Sequence, residues 1–230
     1  MSLTLHAHPL SSYCWKVGVA LHEKDLPFEL RLVADLRDPE ARTAYAALWP
    51  TAKIPLLQDD GRFVPETSIQ IEHLDLRFPG TPRMLPGDQA QQLDVRLWDR
   101  LFDLYVMTPM QRFVGQVLRP EAERDPAAMD EAVAALDMAY GLVESRMGEG
   151  PWIAGETFTL ADCAAAPALF YAAVIVPFGA ERPRLAAYFE RLIARPSVAR
   201  AIAEARPYFE YYPLRERLQA RFLEDAPHAG

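Results

Sequence analysis

The stretch Ser11-Ser12-Tyr13-Cys14-Trp15-Lys16-Val17 places two hydroxyls, a phenol and a thiol in four consecutive positions, just after Pro9 has ended a short strand-like segment. Each of these groups can act as a nucleophile or handle one. A hydroxyl at the first turn of a helix can also donate a hydrogen bond to an anion, and the free N–H groups of that turn favour negative charge in the same place. The same hydroxyl can simply cap the helix. Cys14 falls on the apolar face with Val17 and Leu21, with Gly18 beside them, and reads as a core position. Were Cys14 the reactive group instead, the chemistry would be thiol–disulfide exchange.

The elements that must position this cluster alternate in type over the first 80 or so residues. Leu3 and Leu5 alternate with polar neighbours as a strand, and a helix runs from Ser11 or Ser12 to about Lys24, where Pro27 closes it. Phe28, Leu30 and Leu32 give a second strand, and Pro39 to Ala47 a short helix. Ile54 to Leu57 and Phe63-Val64 form a hairpin around Asp60-Gly61, and Thr67 to Phe78 a third helix that Pro79-Gly80 stops. The order βαβαββα is that of a small α/β sandwich, assigned to residues 1–80. The Pro- and Gly-rich segment 81–87 is a linker, and 88–230 is an all-helical domain. There, Gln89 to Val117 predicts a helix kinked or broken at Pro109. Asp125-Pro126 opens a long helix whose apolar face runs from Met129 to Met147. Further helices are expected at Leu160–Val174, Pro183–Ala194, Val198–Ala205 and Leu214–Leu223.

The totals narrow the function. With 230 residues and a formal net charge of −8, an acidic chain repels phosphate backbones, so nucleic acid is excluded as a partner. No basic segment precedes an apolar core at the N-terminus. The uncharged stretch Cys163–Ala180 holds two prolines and much alanine, which reads as a buried helix rather than a membrane span. Two distant cysteines form no disulfide framework and suit a reducing cytoplasm. The five histidines show no ligand spacing, and no metal is expected.

Four local sequences, in this order, resemble the cytosolic glutathione transferase superfamily across nearly the whole chain. Ser11, Lys16, Val17, Ala20 and Leu21 resemble the S-x-x-x-x-[RK]-V-x-x-A-L opening of its serine classes. Trp49 to Pro55 (WPTAKIP) is similar to N-P-x-G-K-V-P, Glu66 to Gln70 (ETSIQ) to E-S-x-x-I, and Thr159-Leu160-Ala161-Asp162 to the S/T-x-x-D box. The resemblance implies a thioredoxin-like N-terminal domain that binds glutathione as co-substrate and a helical-bundle C-terminal domain. It also implies a homodimer and a small hydrophobic electrophile as second substrate. Ser11 takes the place of the catalytic serine, with Ser12 and Cys14 as secondary candidates. Tyr13 does not match the tyrosine classes, whose phenol comes earlier, on the first strand. Pro55 matches a cis proline whose preceding residue, here Ile54, pairs with the cysteinyl backbone of the tripeptide, and Lys53 stands beside it for the glycine carboxylate. Thr67, as N-cap, and Glu66 match the site for the γ-glutamyl carboxylate and ammonium. Threonine here replaces the family's serine and keeps the hydroxyl. Thr159 and Asp162 form a structural capping box without chemistry.

The serine assignment is sufficient in magnitude. A thiol with a pKa of about 8.5 is only ~3% ionised at pH 7, and lowering it by about 2 units needs ~2.7 kcal/mol. A hydrogen bond to the anion supplies about 1.5–3 kcal/mol and the helix end ~0.3–1 kcal/mol. For the second substrate, Leu10, Tyr105, Met107, Met110 and Phe113 are the expected walls of an apolar pocket. The serine pair is also similar to the zeta class, which has glutamine where this chain has Glu66, and tau- and theta-like bacterial members are neighbouring types. The alternatives are a glutathione-dependent isomerase or oxidoreductase using Cys14, and a non-catalytic glutathione- or ligand-binding stress or scaffold protein.

Overall fold

The computed structural model describes residues 2–33, 35–148 and 150–224. The last six residues of the helical domain assigned from sequence lie outside these. The N-terminal part is β1 (Leu3–Ala7), α1 (Ser12–Glu23), β2 (Glu29–Leu32), α2 (Pro39–Ala46), β3 (Leu56–Asp59), β4 (Arg62–Val64) and α3 (Thr67–Arg77). The sheet order is β2-β1-β3-β4, with β2 parallel to β1 and both remaining pairs antiparallel. β1 is buried along its whole length; α1 covers it with Val17, Val19, Ala20 and Leu21 fully enclosed. β2, the edge strand, is exposed throughout. Strand β3 begins at Leu56, not at Ile54, because Pro55 has no N–H to give to the ladder; the Ile54-Pro55 peptide is cis.

A carboxylate fixes the linker. Asp75 on α3 accepts the N–H groups of Met84 and Leu85 (2.9 and 2.8 Å) and pairs at 2.7 Å with the buried Lys24, which also donates to the Pro82 carbonyl. The helical part follows as α4 (Gln89–Leu101), a π-helical turn (Phe102–Met107), α5 (Thr108–Val117), α6 (Pro126–Arg146), α7 (Leu160–Ile175), α8 (Pro183–Ala194) and α9 (Pro196–Ala205). It ends in 3-10 turns (Arg206–Tyr211, Arg215–Arg217) and α10 (Ala220–Leu223). α7 is the buried axis of the domain and packs against α1, α4 and α8. Among the described residues no helix is long and apolar enough to cross a membrane.

One helix expectation is corrected and another takes a specific form. The stretch Leu214–Leu223 is not one helix, since the 3-10 turn at Arg215–Arg217 and a gap precede the single turn of α10. At Pro109 the expected interruption takes the form of a π-helical turn, with Pro109 in the first turn of α5. In that turn the Thr108 N–H reaches Asp103 O in the wide π-helical pattern. The Thr108 hydroxyl donates to the same carbonyl at 2.9 Å. Wide turns of this kind absorb a proline and collect at functional sites; here the turn swings Asp103 towards α1.

Candidate functional site

Three backbone devices converge on one cavity of about 610 Å³ between the sheet domain and the α4–α5 region. The first is the start of α1. Ser11 is its N-cap with extended backbone, and its Oγ accepts the Cys14 N–H at 3.4 Å. The second is the cis-proline segment, with Lys53, Ile54 and Pro55 on the cavity wall. Among the described residues no backbone hydrogen bond occupies the Ile54 N–H or C=O. The Gln70 amide on α3 donates to the Pro55 carbonyl at 2.9 Å and ties this segment to the third device. That device is the start of α3. Glu66 is its N-cap residue, at φ 65°, and makes no side-chain cap bond. A left-handed glutamate is uncommon and costs ~1–3 kcal/mol, which surrounding structure must hold in place. The result leaves the first N–H groups of α3 without a side-chain acceptor, a ready anion site. Thr67, expected as the cap, is instead the first helical residue, because the left-handed turn at Glu66 shifts the helix start by one; it still lines the cavity.

The floor of the site is an ion-pair cluster between the domains. Lys16 is fully enclosed, with Nζ 2.6 Å from Asp99, 2.8 Å from Asp103 and 3.0 Å from the Ser68 hydroxyl. Ser68 in turn donates to Asp99 at 2.7 Å. Arg100, half-exposed at the cavity rim, pairs with Asp103 and donates to Ser68 at 3.0 Å. Burial pushes the Asp103 carboxyl up, with Lys16 pulling it back and Asp99 adding to the rise. α1, α3, α4 and the π-helical turn are thus held by one set of charges, of which Arg100 and Asp103 line the same cavity as Ser11 and Glu66. Lys16 is part of the family resemblance in the sequence, but Asp99, Arg100, Asp103 and Ser68 carry no sequence signal beyond an i,i+4 pair of aspartates. Gln111 and Thr108 complete the helical wall of the cavity, and only packing reveals them.

The remaining expected residues separate. Ser12 is buried, accepts from the Gln111 amide at 3.4 Å, and does not line the cavity. Cys14 is enclosed on another face of α1, and burial pushes its thiol up to about 12 although the Ser11 hydroxyl and the His8 backbone pull it down. At pH 8 only roughly one such thiol in 10⁴ is ionised, four units below its pKa. Native protein at pH 8 is therefore expected to resist a thiol-specific alkylating agent at Cys14, and also at the fully buried Cys163, until denaturant is added; stoichiometric labelling within minutes would contradict this. Of the five residues expected as pocket walls, none lines the Ser11 cavity. Met107, Met110 and Phe113 face inward to the domain core, Leu10 packs at its edge, and Tyr105 opens onto a separate surface groove. Apolar side chains on these elements satisfy the domain core first, and composition alone does not separate a core wall from a pocket wall. The capping box forms as expected. Thr159 is bonded to the N3 backbone, and Asp162 accepts the Thr159 N–H at 2.8 Å and its hydroxyl at 3.1 Å.

This geometry has counterparts. Residues 5–82 match the family model for the glutathione S-transferase N-terminal domain and residues 126–191 that for the C-terminal domain, together more than half of the chain. The chain belongs to the cytosolic glutathione S-transferase superfamily. As a glutathione S-transferase it is an enzyme, with glutathione as co-substrate. It is similar to the glutathione S-transferase GstB of Escherichia coli K12 (25% identity, covering 87% of this chain and 97% of that one). It is also similar to a glutathione S-transferase of Pseudomonas putida (28%, covering 88% and 92%). Among solved structures, it is similar to a glutathione S-transferase of Methylobacillus flagellatus with glutathione bound (TM-score 0.78, 27% identity, covering 87% and 98%). A second, from Methylobacterium radiotolerans in complex with glutathione sulfonate, gives a TM-score of 0.76 at 29% identity, covering 87% and 94%. The glutathione S-transferase fold here is therefore the thioredoxin-like domain followed by the helical domain, as the sequence implied.

Proposed function

We propose that this glutathione S-transferase binds glutathione along the cavity wall formed by Lys53, Ile54, Pro55, Glu66 and Thr67, and that Ser11 holds its sulfur as thiolate for attack on a small electrophile. The observation that carries this reading is the convergence of the Ser11 hydroxyl, the cis-proline segment and the start of α3 on a single cavity of about 610 Å³. An extended peptide meets the unpaired backbone at Ile54 as it would a strand edge. Its γ-glutamyl carboxylate meets the N–H groups of α3, and its ammonium meets Glu66. The sulfur then lies towards α1, where the hydroxyl and the helix end stabilise the anion. Cys14, being a neutral thiol outside this cavity, gives the thiol-exchange alternative no support. The electrophile approaches from the wall formed by Leu104, Thr108 and Gln111. A homodimer in the reducing cytoplasm accords with the family and with two free, buried cysteines.

Ser11→Ala tests the assignment. Removing one hydrogen bond to an anion is expected to lower kcat/KM by about 10- to 150-fold and to raise the pKa of the bound thiol by ~1–2 units. Both are read on the purified enzyme from the pH–rate profile and the ultraviolet absorbance of the thiolate. A variant with wild-type rates and titration would refute the role of Ser11. Retention on immobilised glutathione without conjugation of any aryl halide, epoxide or enone would favour a carrier instead.

A further inference from the structure

Gln70 stands one turn inside α3, among the buried Ile71 and Leu74, and its side chain is fully enclosed. In the E-S-x-x-I pattern that Glu66 to Gln70 resembles, its place belongs to isoleucine. Its Nε2 donates to the Pro55 carbonyl at 2.9 Å, while its Oε1 is buried and meets no donor among the described residues. A buried acceptor left unpaired costs more than one neutral hydrogen bond returns, so an apolar residue would serve the core better. Stability does not account for an amide here. We propose that Gln70 is a positioning residue for glutathione: it fixes the Pro55 carbonyl, and with it the orientation of the Ile54 backbone groups that take the cysteinyl backbone. This rests on the reading that glutathione lies along the wall from Lys53 to Thr67.

The wall has little else to hold it. Leu56 enters β3 opposite His6, and the Ala52 N–H closes a turn on the Trp49 carbonyl. Between them, among the described residues, no backbone hydrogen bond restrains Lys53, Ile54 or Pro55. Two side chains meet this stretch. The Tyr45 hydroxyl reaches the Lys53 carbonyl at 3.5 Å, the outer limit of a hydrogen bond. Gln70 reaches the Pro55 carbonyl at a full hydrogen-bond distance. The proline ring fixes its own φ and the Gln70 bond fixes the ψ beyond it, so the Ile54 carbonyl, one peptide back, is held in direction. Gln70 also holds the other half of the wall, since its backbone N–H donates to the Glu66 carbonyl at 2.8 Å. One residue thereby sets the separation between the peptide-binding edge and the anion site at the start of α3. Where the edge is free to turn, only a fraction of the molecules present it correctly, and the apparent dissociation constant rises by the inverse of that fraction. The complex, once formed, is the same, and the sulfur meets Ser11 in the same place. The effect therefore falls on KM and leaves kcat.

Gln70→Ile and Gln70→Met remove the donor and keep a side chain of similar size. In both, KM for glutathione is expected to rise about 10-fold, with kcat at saturating glutathione and the titration of the bound thiol unchanged, and with the urea midpoint equal to wild type or higher. Direct binding of S-methylglutathione, whose sulfur cannot ionise, is expected to weaken by the same factor. Gln70→Glu provides a rescue. A buried glutamic acid in its neutral form again donates to the carbonyl, so the affinity of this variant for S-methylglutathione, relative to wild type at the same pH, is expected to recover at pH 5 and to be lost at pH 8. Affinity within about twofold of wild type in both apolar variants, or a fall in kcat as large as the rise in KM, would overturn the proposal. So would a lower urea midpoint in both, which would mean that the amide serves the fold. Failure of the wild type to bind S-methylglutathione is a separate outcome: it removes the glutathione reading of the wall, and this inference with it.

Discussion

Lys16→Met is expected to lower the unfolding free energy by about 3–5 kcal/mol, the range for removing one partner of a buried ion pair. Methionine replaces the aliphatic stem and leaves little cavity, so the loss is electrostatic. Two donors of the wild-type ammonium are used, on Asp103 and Ser68, and the charge also lies 2.6 Å from Asp99 Oδ1. Without it two carboxylates, both almost wholly enclosed, face each other with only the half-exposed Arg100 guanidinium as counter-charge. The variant relieves this by binding a proton, so part of the loss is recovered as the pH is lowered and one carboxyl becomes neutral; burial already raises Asp103 in the wild type. Urea unfolding at neutral and at mildly acidic pH reads both effects. A loss below about 1 kcal/mol would mean that the cluster contributes no more than a surface pair. Because the cluster joins α1 to α4 beside the cavity that Ser11 lines, activity is expected to fall as well, through the placement of the serine.

Asp162→Ala is the second large effect, about 2–4 kcal/mol, above the ~1 kcal/mol typical of a lost cap. The structure shows why. Besides Thr159, the carboxylate accepts the Ile153 N–H at 3.1 Å and the Tyr188 hydroxyl at 2.6 Å. Alanine therefore orphans four buried donors from α7, α8 and the preceding loop. The effect is also pH-dependent. Burial pushes the Asp162 carboxyl up to about 6, against the pull of these four donors. A folded pKa above the unfolded value of about 3.9 means that the stability this group adds is fully present below ~pH 4 and is lost as the pH rises through about 6. The difference in stability between wild type and variant is thus expected to be larger at pH 5 than at pH 8, by roughly 1 kcal/mol. Thermal or urea unfolding at the two pH values measures it; a difference that grows with pH would contradict the sign.

Much of this protein is determined locally. Strand β1, the Ser11 cap, the proline at position 55, the α3 start and the Thr159–Asp162 box were legible because each is a short-range pattern: alternation, a capping side chain, a turn dipeptide, a box at i,i+3. Such signals need only neighbours in the chain. The long apolar stripe of α6 was legible for the same reason, by its 3.6-residue repeat.

What tertiary structure alone decided is whatever depends on a small change of phase or on partners far along the chain. A left-handed backbone at Glu66 moved the cap from Thr67 by one residue. Packing put Met107, Met110 and Phe113 in the core, and the wide turn at Phe102–Met107 carries the Asp103 that meets Lys16, 87 residues earlier. A helical repeat carries no record of a single extra residue in a turn, and a charged pair separated by that distance leaves no periodicity to find. The sequence by itself therefore named the residues proposed to hold a thiolate, while packing determined which polar groups stand around the cavity and with what charge.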